Sequence, residues 1–210
     1  MTKELVYLVG GVNGVGKSTL IKELSQGYPQ FDVFRGSTEL MKWLALREGD
    51  YETLRALPDD YKNAEAEKMM RKILTDGSSE AKTIIIDAHY LNYKEGEMVD
   101  TTGEWMGLLS GLFVIMAPPN VILARIKEDE IVGGKKRNLF PADAAEERKL
   151  QMLDNYLVKT LEKAEEVSKK FGIPCYVIDN SSEGVGSAIS QFLEYDTLLN
   201  SEHIRKEKNE

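Results

Sequence analysis

Cysteine is almost absent from this 210-residue chain, Cys175 being the single one. An internal disulfide is excluded, and the chain's two histidines form no Cys/His cluster of the kind that holds zinc. Cys175 lies in Ile173-Pro174-Cys175-Tyr176-Val177-Ile178, which reads as a buried strand, so its thiol is expected to be a small core group rather than a nucleophile. Positive charge is also in deficit: 27 Lys and Arg face 35 Asp and Glu, a net charge of −8. A general nucleic-acid binder needs a basic face, and this balance argues against one, although a small basic substrate pocket is compatible with it. Long apolar runs are missing too. None approaches the roughly 20 residues that cross a bilayer, so no membrane role is expected. The first apolar run begins almost at the N-terminus without a leader-like segment, and a cytoplasmic location is expected.

What the chain does have is Gly11-Val12-Asn13-Gly14-Val15-Gly16-Lys17-Ser18, a complete G-x-x-x-x-G-K-[ST] phosphate loop. Leu5-Val6-Tyr7-Leu8-Val9 before it reads as a buried parallel strand, and Thr19-Leu20-Ile21-Lys22-Glu23-Leu24 after it as the first turns of a helix. Strand, glycine loop and helix N-terminus together are the context in which this motif holds nucleotide phosphates. Backbone N–H groups from Gly11 through Thr19, among them those of Asn13, Gly14, Val15 and Gly16, are expected to face the phosphate oxygens. Lys17 reaches the β- and γ-phosphates, and the Ser18 hydroxyl is the expected Mg²⁺ ligand.

Four more apolar runs resemble strands: residues 31–34, 83–87, 112–116 and 174–178. They are continuous rather than alternating, as parallel strands covered on both faces should be. Helical patterns fall between them, at residues 18–27, 37–47, 59–76, about 119–130, about 142–171 and 184–194. The βαβα alternation predicts a three-layer α/β sandwich. One domain is expected over residues 1–198, followed by a charged, fraying tail at 199–210. Two stretches exceed a minimal core. Residues about 35–75 read as an insertion that grips a substrate, and residues about 128–142, with Gly133-Gly134-Lys135-Lys136-Arg137, as a mobile lid.

The remaining chemistry must come from charges placed around the transferred phosphoryl group. Asp87 ends the strongest apolar strand, and ligands bind at the carboxyl ends of such strands. It is the expected metal-side carboxylate, with the alternative that it caps the next segment. His89, two residues on, is expected to contact substrate or order water, with backbone hydrogen bonding as the alternative. Arg125 and Arg137 are the expected phosphate-facing arginines, since Arg can fork around phosphate oxygens. Lys135, Lys136 and Arg148 are weaker choices, because a charge run is ordinarily a solvated face. In the first insertion, Gly36 permits close approach, Ser37 reads as a helix cap, and Arg55 reads as a clamp for an acceptor phosphate. Trp43 and Trp105 read as packing residues.

These motifs resemble those of the archaeal-type adenylate kinases, within the nucleoside monophosphate kinases. The likeness runs from the first strand to about residue 194 and rests on the phosphate loop, on Gly36-Ser37, on Arg55-Ala56-Leu57-Pro58-Asp59 and on Asp87-Ala88-His89. The order Ile122-Leu123-Ala124-Arg125, Asp129-Glu130, Arg137-Asn138-Leu139 is similar to that family's lid. The resemblance implies a P-loop kinase fold with a five-stranded parallel sheet of order 2-3-1-4-5. It implies transfer of the γ-phosphoryl of ATP, with Mg²⁺ on Ser18 and Asp87, to a nucleoside monophosphate such as AMP held by Gly36, Ser37, Arg55 and His89. Two other readings stay open: a small-molecule hydroxyl kinase on the same fold, and a nucleotide-hydrolysing switch or assembly ATPase.

Overall fold

A computed structural model of the protein describes residues 5–76, 83–94, 97–133, 139–141, 143–182 and 184–207. Five strands form one parallel sheet: β1 (Leu5–Gly11), β2 (Phe31–Arg35), β3 (Thr83–Asp87), β6 (Gly111–Met116) and β7 (Cys175–Asp179). Between β3 and β6 lies an antiparallel hairpin of β4 (Leu91–Lys94) and β5 (Glu97–Asp100), followed by a 3-10 turn, Glu104–Leu108. The sheet order is β2-β3-β1-β6-β7. Counted over sheet strands alone this is 2-3-1-4-5, and the offset in the last two labels comes from the hairpin, which the sequence reading did not separate.

β1 occupies the centre and is buried along its whole length. Its side chains alternate between two cores. Tyr7 and Val9 face one side with Phe113, Ile115 and Phe192. Val6 and Leu8 face the other with Ile84, Ile86 and Val114. Helix α1 (Lys17–Gly27) buries Leu20, Ile21 and Leu24 on the first side, each such side chain contributing about 2 kcal/mol. Helix α6 (Glu146–Phe171) buries Leu153, Tyr156, Leu157, Thr160, Ala164 and Val167, a single stripe at helical spacing. It ends at Gly172, in the left-handed conformation that stops a helix without strain.

The insertion between β2 and β3 is helical, as expected, in three pieces: α2 (Gly36–Trp43), α3 (Tyr51–Ala56) and α4 (Asp59–Asp76). Asp50 caps α3 by accepting from the Thr53 N–H. The hairpin is fastened on two sides. The Tyr156 hydroxyl donates to the Leu91 carbonyl (2.8 Å), Lys163 pairs with Asp100 (2.7 Å), and the Asn63 side chain donates to the Asp100 carbonyl (3.3 Å). Alternation of Leu91 and Tyr93 with Asn92 and Lys94 was the available strand signal; four residues are too few to stand out without the tertiary partner. No helix among the described residues is long and apolar enough to cross a membrane.

The last helix departs from expectation. Instead of stopping near residue 194 and fraying, α7 (Gly186–Glu207) runs on through the charged segment. Leu199 is buried, and Asp196 is held beneath the sheet by the Tyr7 hydroxyl (2.8 Å) and the Asn200 amide (3.0 Å), both donating to Oδ1. Burial raises the Asp196 carboxyl above the usual carboxylate range, against the lowering effect of those two hydrogen bonds. The neutral acid is the form the fold prefers. Its contribution to stability is complete below the unfolded carboxylate value of about 4 and is lost as pH rises through the higher folded value. Asp196→Asn keeps the acceptor and cannot ionise. Relative to the parent, its melting temperature should rise by a few degrees between about pH 4 and pH 7. A difference between the two proteins that is flat in pH would contradict this.

Candidate nucleotide-binding site

Parallel strands bring their carboxyl ends to one edge, and the register shows which residues meet there. Val9 of β1 stands beside Asp87 of β3, Arg35 of β2 beside the same Asp87, and Met116 of β6 beside Asp179 of β7. The phosphate loop leaves β1 at this edge and returns as α1 at Lys17. Gly14 and Gly16 both have positive φ, 84° and 93°. Beta carbons there would strike Ile126 of α5 (Pro119–Gly133) and the Asn180 side-chain nitrogen, respectively. Glycine at these two positions is thus demanded by backbone angle and by close packing alike.

Lys17 and Asp87 meet as an ion pair at the mouth of the sheet. Lys17 is 8% exposed, so its ammonium relies on this partner for charge compensation. The loop lysine is therefore held by a carboxylate. Ser18 and Thr19 are exposed on the first turn of α1, and Asn13 is half-buried at the loop tip. Among the described residues, no three His, Cys, Asp or Glu side chains gather to hold a metal. The donors available are the Ser18 hydroxyl and the Asp87 carboxylate. They suit Mg²⁺, a hard ion that takes few protein oxygens and completes its shell with water and nucleotide phosphates.

His89 stands against the loop, its Nδ1 2.8 Å from the Gly11 carbonyl. A carbonyl can only accept, so Nδ1 carries the proton in that contact. The residue is braced from the far side by Thr101, whose hydroxyl donates to the His89 carbonyl (2.6 Å). Both expected roles of His89 thus begin from one placement: backbone bonding at Nδ1, beside the phosphate loop. Gly36 opens α2 beside Asp87, where an added Cβ would lie 3.3 Å from the Asp87 carbonyl oxygen and 3.4 Å from the Ala88 Cβ. Arg35, not Ser37, occupies the cap position, and Ser37 lies exposed within the first turn. The cap expected of Ser37 is not formed because the helix starts directly off β2, two residues earlier.

The arginines are placed unequally. Arg125 forks onto three carbonyl oxygens, Nη1 donating to Val15 (3.1 Å) and Nη2 to Asn180 (2.9 Å) and Ser182 (3.4 Å). In this arrangement it braces the back of the loop. Arg55 is exposed on the last turn of α3, and Arg148 is exposed on the first turn of α6. Arg137, with Lys135 and Lys136, lies outside the described residues. Trp105 is buried in the core as expected, and Trp43 lies half out on α2, donating to Glu65 (2.8 Å). Asn180 is the residue that sequence reading missed. It follows β7 at the same edge that singled out Asp87, so strand-end position was the signal for both.

A glycine loop between the central strand and first helix of a parallel sheet, with a lysine–carboxylate pair at its mouth, defines a P-loop NTPase domain of the kinase-like type. The family described as "AAA domain" matches residues 10–139, more than half of the chain, and the protein belongs to that family. The fold is similar to that in the crystal structure of TT1252 from Thermus thermophilus, with a TM-score of 0.51 and 16% identity over 93% of this chain and 97% of that one. No curated protein sequence matches the chain.

Competition between Asp87 and phosphate for Lys17 has a measurable sign. Asp87→Asn removes the competing charge, so ATP in the presence of EDTA should bind roughly fivefold more tightly than to the parent. The affinity gained on adding Mg²⁺ should shrink in the same variant. Calorimetric titration with and without EDTA reads both, and tighter metal-free binding by the parent would refute the competition.

Proposed function

We propose that the protein is a cytoplasmic kinase that transfers the γ-phosphoryl group of ATP to a nucleoside monophosphate, with AMP as the acceptor. The observation that carries this reading is the position of Gly36 beside Asp87, directly after Arg35, the Asp87 partner in the sheet. The helical insertion begins against the very residue that pairs with the loop lysine, so the walls of a second substrate site start where the donor phosphates end. The motif resemblance to adenylate kinases supports the same assignment.

In this reading the loop amides and Lys17 hold the β- and γ-phosphates and draw charge away from the leaving oxygen. Ser18 and Asp87 would hold a Mg²⁺ ion bound with the nucleotide, which would supply charge neutralisation at the phosphates. Gly36 and Ser37 at the start of α2 and Arg55 on α3 receive the acceptor phosphate, and His89 contacts substrate beside the loop. Arg137 approaches the transferred group as the lid closes, which excludes water, while Arg125 keeps the loop in place from behind. An acceptor phosphate oxygen bonds to the γ-phosphorus as the bond to the β,γ-bridging oxygen breaks. ATP and AMP thus give two ADP without a covalent protein intermediate.

A second reading, hydrolysis coupled to a partner, is favoured by His89, whose hydrogen bond to Gly11 puts an imidazole beside the start of the phosphate loop. A coupled assay over AMP, CMP, UMP, dTMP, gluconate and shikimate separates the readings. Turnover with AMP supports the first; turnover confined to a hydroxyl acceptor, or ATP hydrolysis that no acceptor stimulates, rejects it. Lys17→Met should lower transfer at least a hundredfold with the fold retained. Arg55→Ala should raise the KM for AMP about tenfold and leave that for ATP unchanged.

A further inference from the structure

The back of the phosphate loop is held at one atom by two side chains from distant parts of the chain. The Val15 carbonyl oxygen accepts from the Asn180 side-chain amide at 2.8 Å and from Arg125 Nη1 at 3.1 Å. Asn180 is 4% exposed, and its own main chain is fixed: its N–H donates to the Met116 carbonyl (2.8 Å) and its carbonyl accepts from Arg125 Nη2 (2.9 Å). Its position is therefore set by the ends of β6 and β7, not by the loop it touches. Gly16 lacks a Cβ at the point where that Cβ would strike the Asn180 amide.

A peptide unit is planar and trans, so its C=O and N–H point in opposite directions. Pinning the Val15 carbonyl toward Asn180 and Arg125 turns the Gly16 N–H the other way, off the back of the loop. The same glycine conformation, φ 93°, starts α1 with Lys17 as its first residue. We propose that Asn180 is a positioning residue for nucleotide binding: its amide, together with Arg125, sets the Val15–Gly16 peptide plane so that the Gly16 N–H is aimed at a phosphate oxygen before the nucleotide arrives. Arg125 alone does not suffice, because its guanidinium is shared among three carbonyls, whereas Asn180 is rigidly buried. The inference rests on the nucleotide-binding reading of the loop and is independent of which acceptor is used.

The chemistry of the side chain makes the role separable from packing. Ala removes the donor. Leu has the branched shape of Asn but carries neither a donor nor a charge. If Asn180 acts as a donor, Asn180→Ala and Asn180→Leu both lower Mg-ADP affinity, by roughly fivefold each. If it acts only by filling space, the Leu variant binds like the parent and Ala is the weaker binder; that order overturns the proposal. Titration calorimetry with Mg-ADP measures it, with melting temperatures recorded alongside. The unsubstituted protein supplies a second test that needs no variant to fold. The Gly16 amide proton resonance should move downfield on Mg-ADP addition, and a resonance that stays in place overturns the proposal. Parent protein that binds no Mg-ADP at all would instead refute the nucleotide reading itself.

Discussion

A lysine ammonium shut away from water needs a counter-charge, and here Asp87 supplies it to Lys17. That pairing ties together the ends of the two adjacent strands β1 and β3, one through the phosphate loop and the other directly. It also sets the resting state of the site. With its counter-charge in place the buried cation is compensated, and a phosphate taking the carboxylate's place would exchange one anion for another. Such an exchange costs little in desolvation, because the charge balance of the pocket is kept.

Around this pair the fold is arranged to keep the loop from yielding. In front, β3 continues into Ala88 and His89, and His89 bonds back to the Gly11 carbonyl. Behind, Arg125 from α5 and Asn180 from the end of β7 converge on the Val15 carbonyl. Beneath, Ile126 fills the space that a side chain on Gly14 would need. These four supports come from three separate segments, the end of β3, α5 and the end of β7, so the loop's geometry depends on the sheet being assembled. The hairpin plays its part indirectly: Thr101 holds the His89 carbonyl, while Tyr156 and Lys163 of α6 hold the hairpin.

The elements legible in advance were those with strong local signals. The five apolar runs became the five sheet strands; the central β1, β3 and β6 are buried nearly throughout and so must be apolar on both faces, while β2 and β7 at the edges are only partly covered. Helix α6 was readable from its stripe and its glycine stop. The hairpin was not, since strands of four residues pair only with one another and gain their stability from α6. The length of α7 was misread because Lys and Glu at its end mask Leu199, Asp196 and Asn200, which anchor it to Tyr7 through contacts far away in sequence. Arg125 was read as facing phosphate from its chemistry alone; the direction of its fork depends on carbonyls presented by two separate loops.

By itself the sequence determined that the chain carries a phosphate loop of the kind that binds nucleotides, and where that loop lies. The eight residues from Gly11 to Ser18 make the cradle from their own backbone, so their identity and spacing suffice once a strand and a helix flank them. Tertiary structure decided what surrounds that cradle: the pairing of Lys17 with Asp87, the placing of Gly36 beside it, and the convergence of Asn180 and Arg125 on one carbonyl. Each of these joins residues that lie 51 to 165 positions apart, as Gly36 does to Asp87 and Asn180 to Val15. Contacts of that kind are set by strand order and register, which no local pattern encodes.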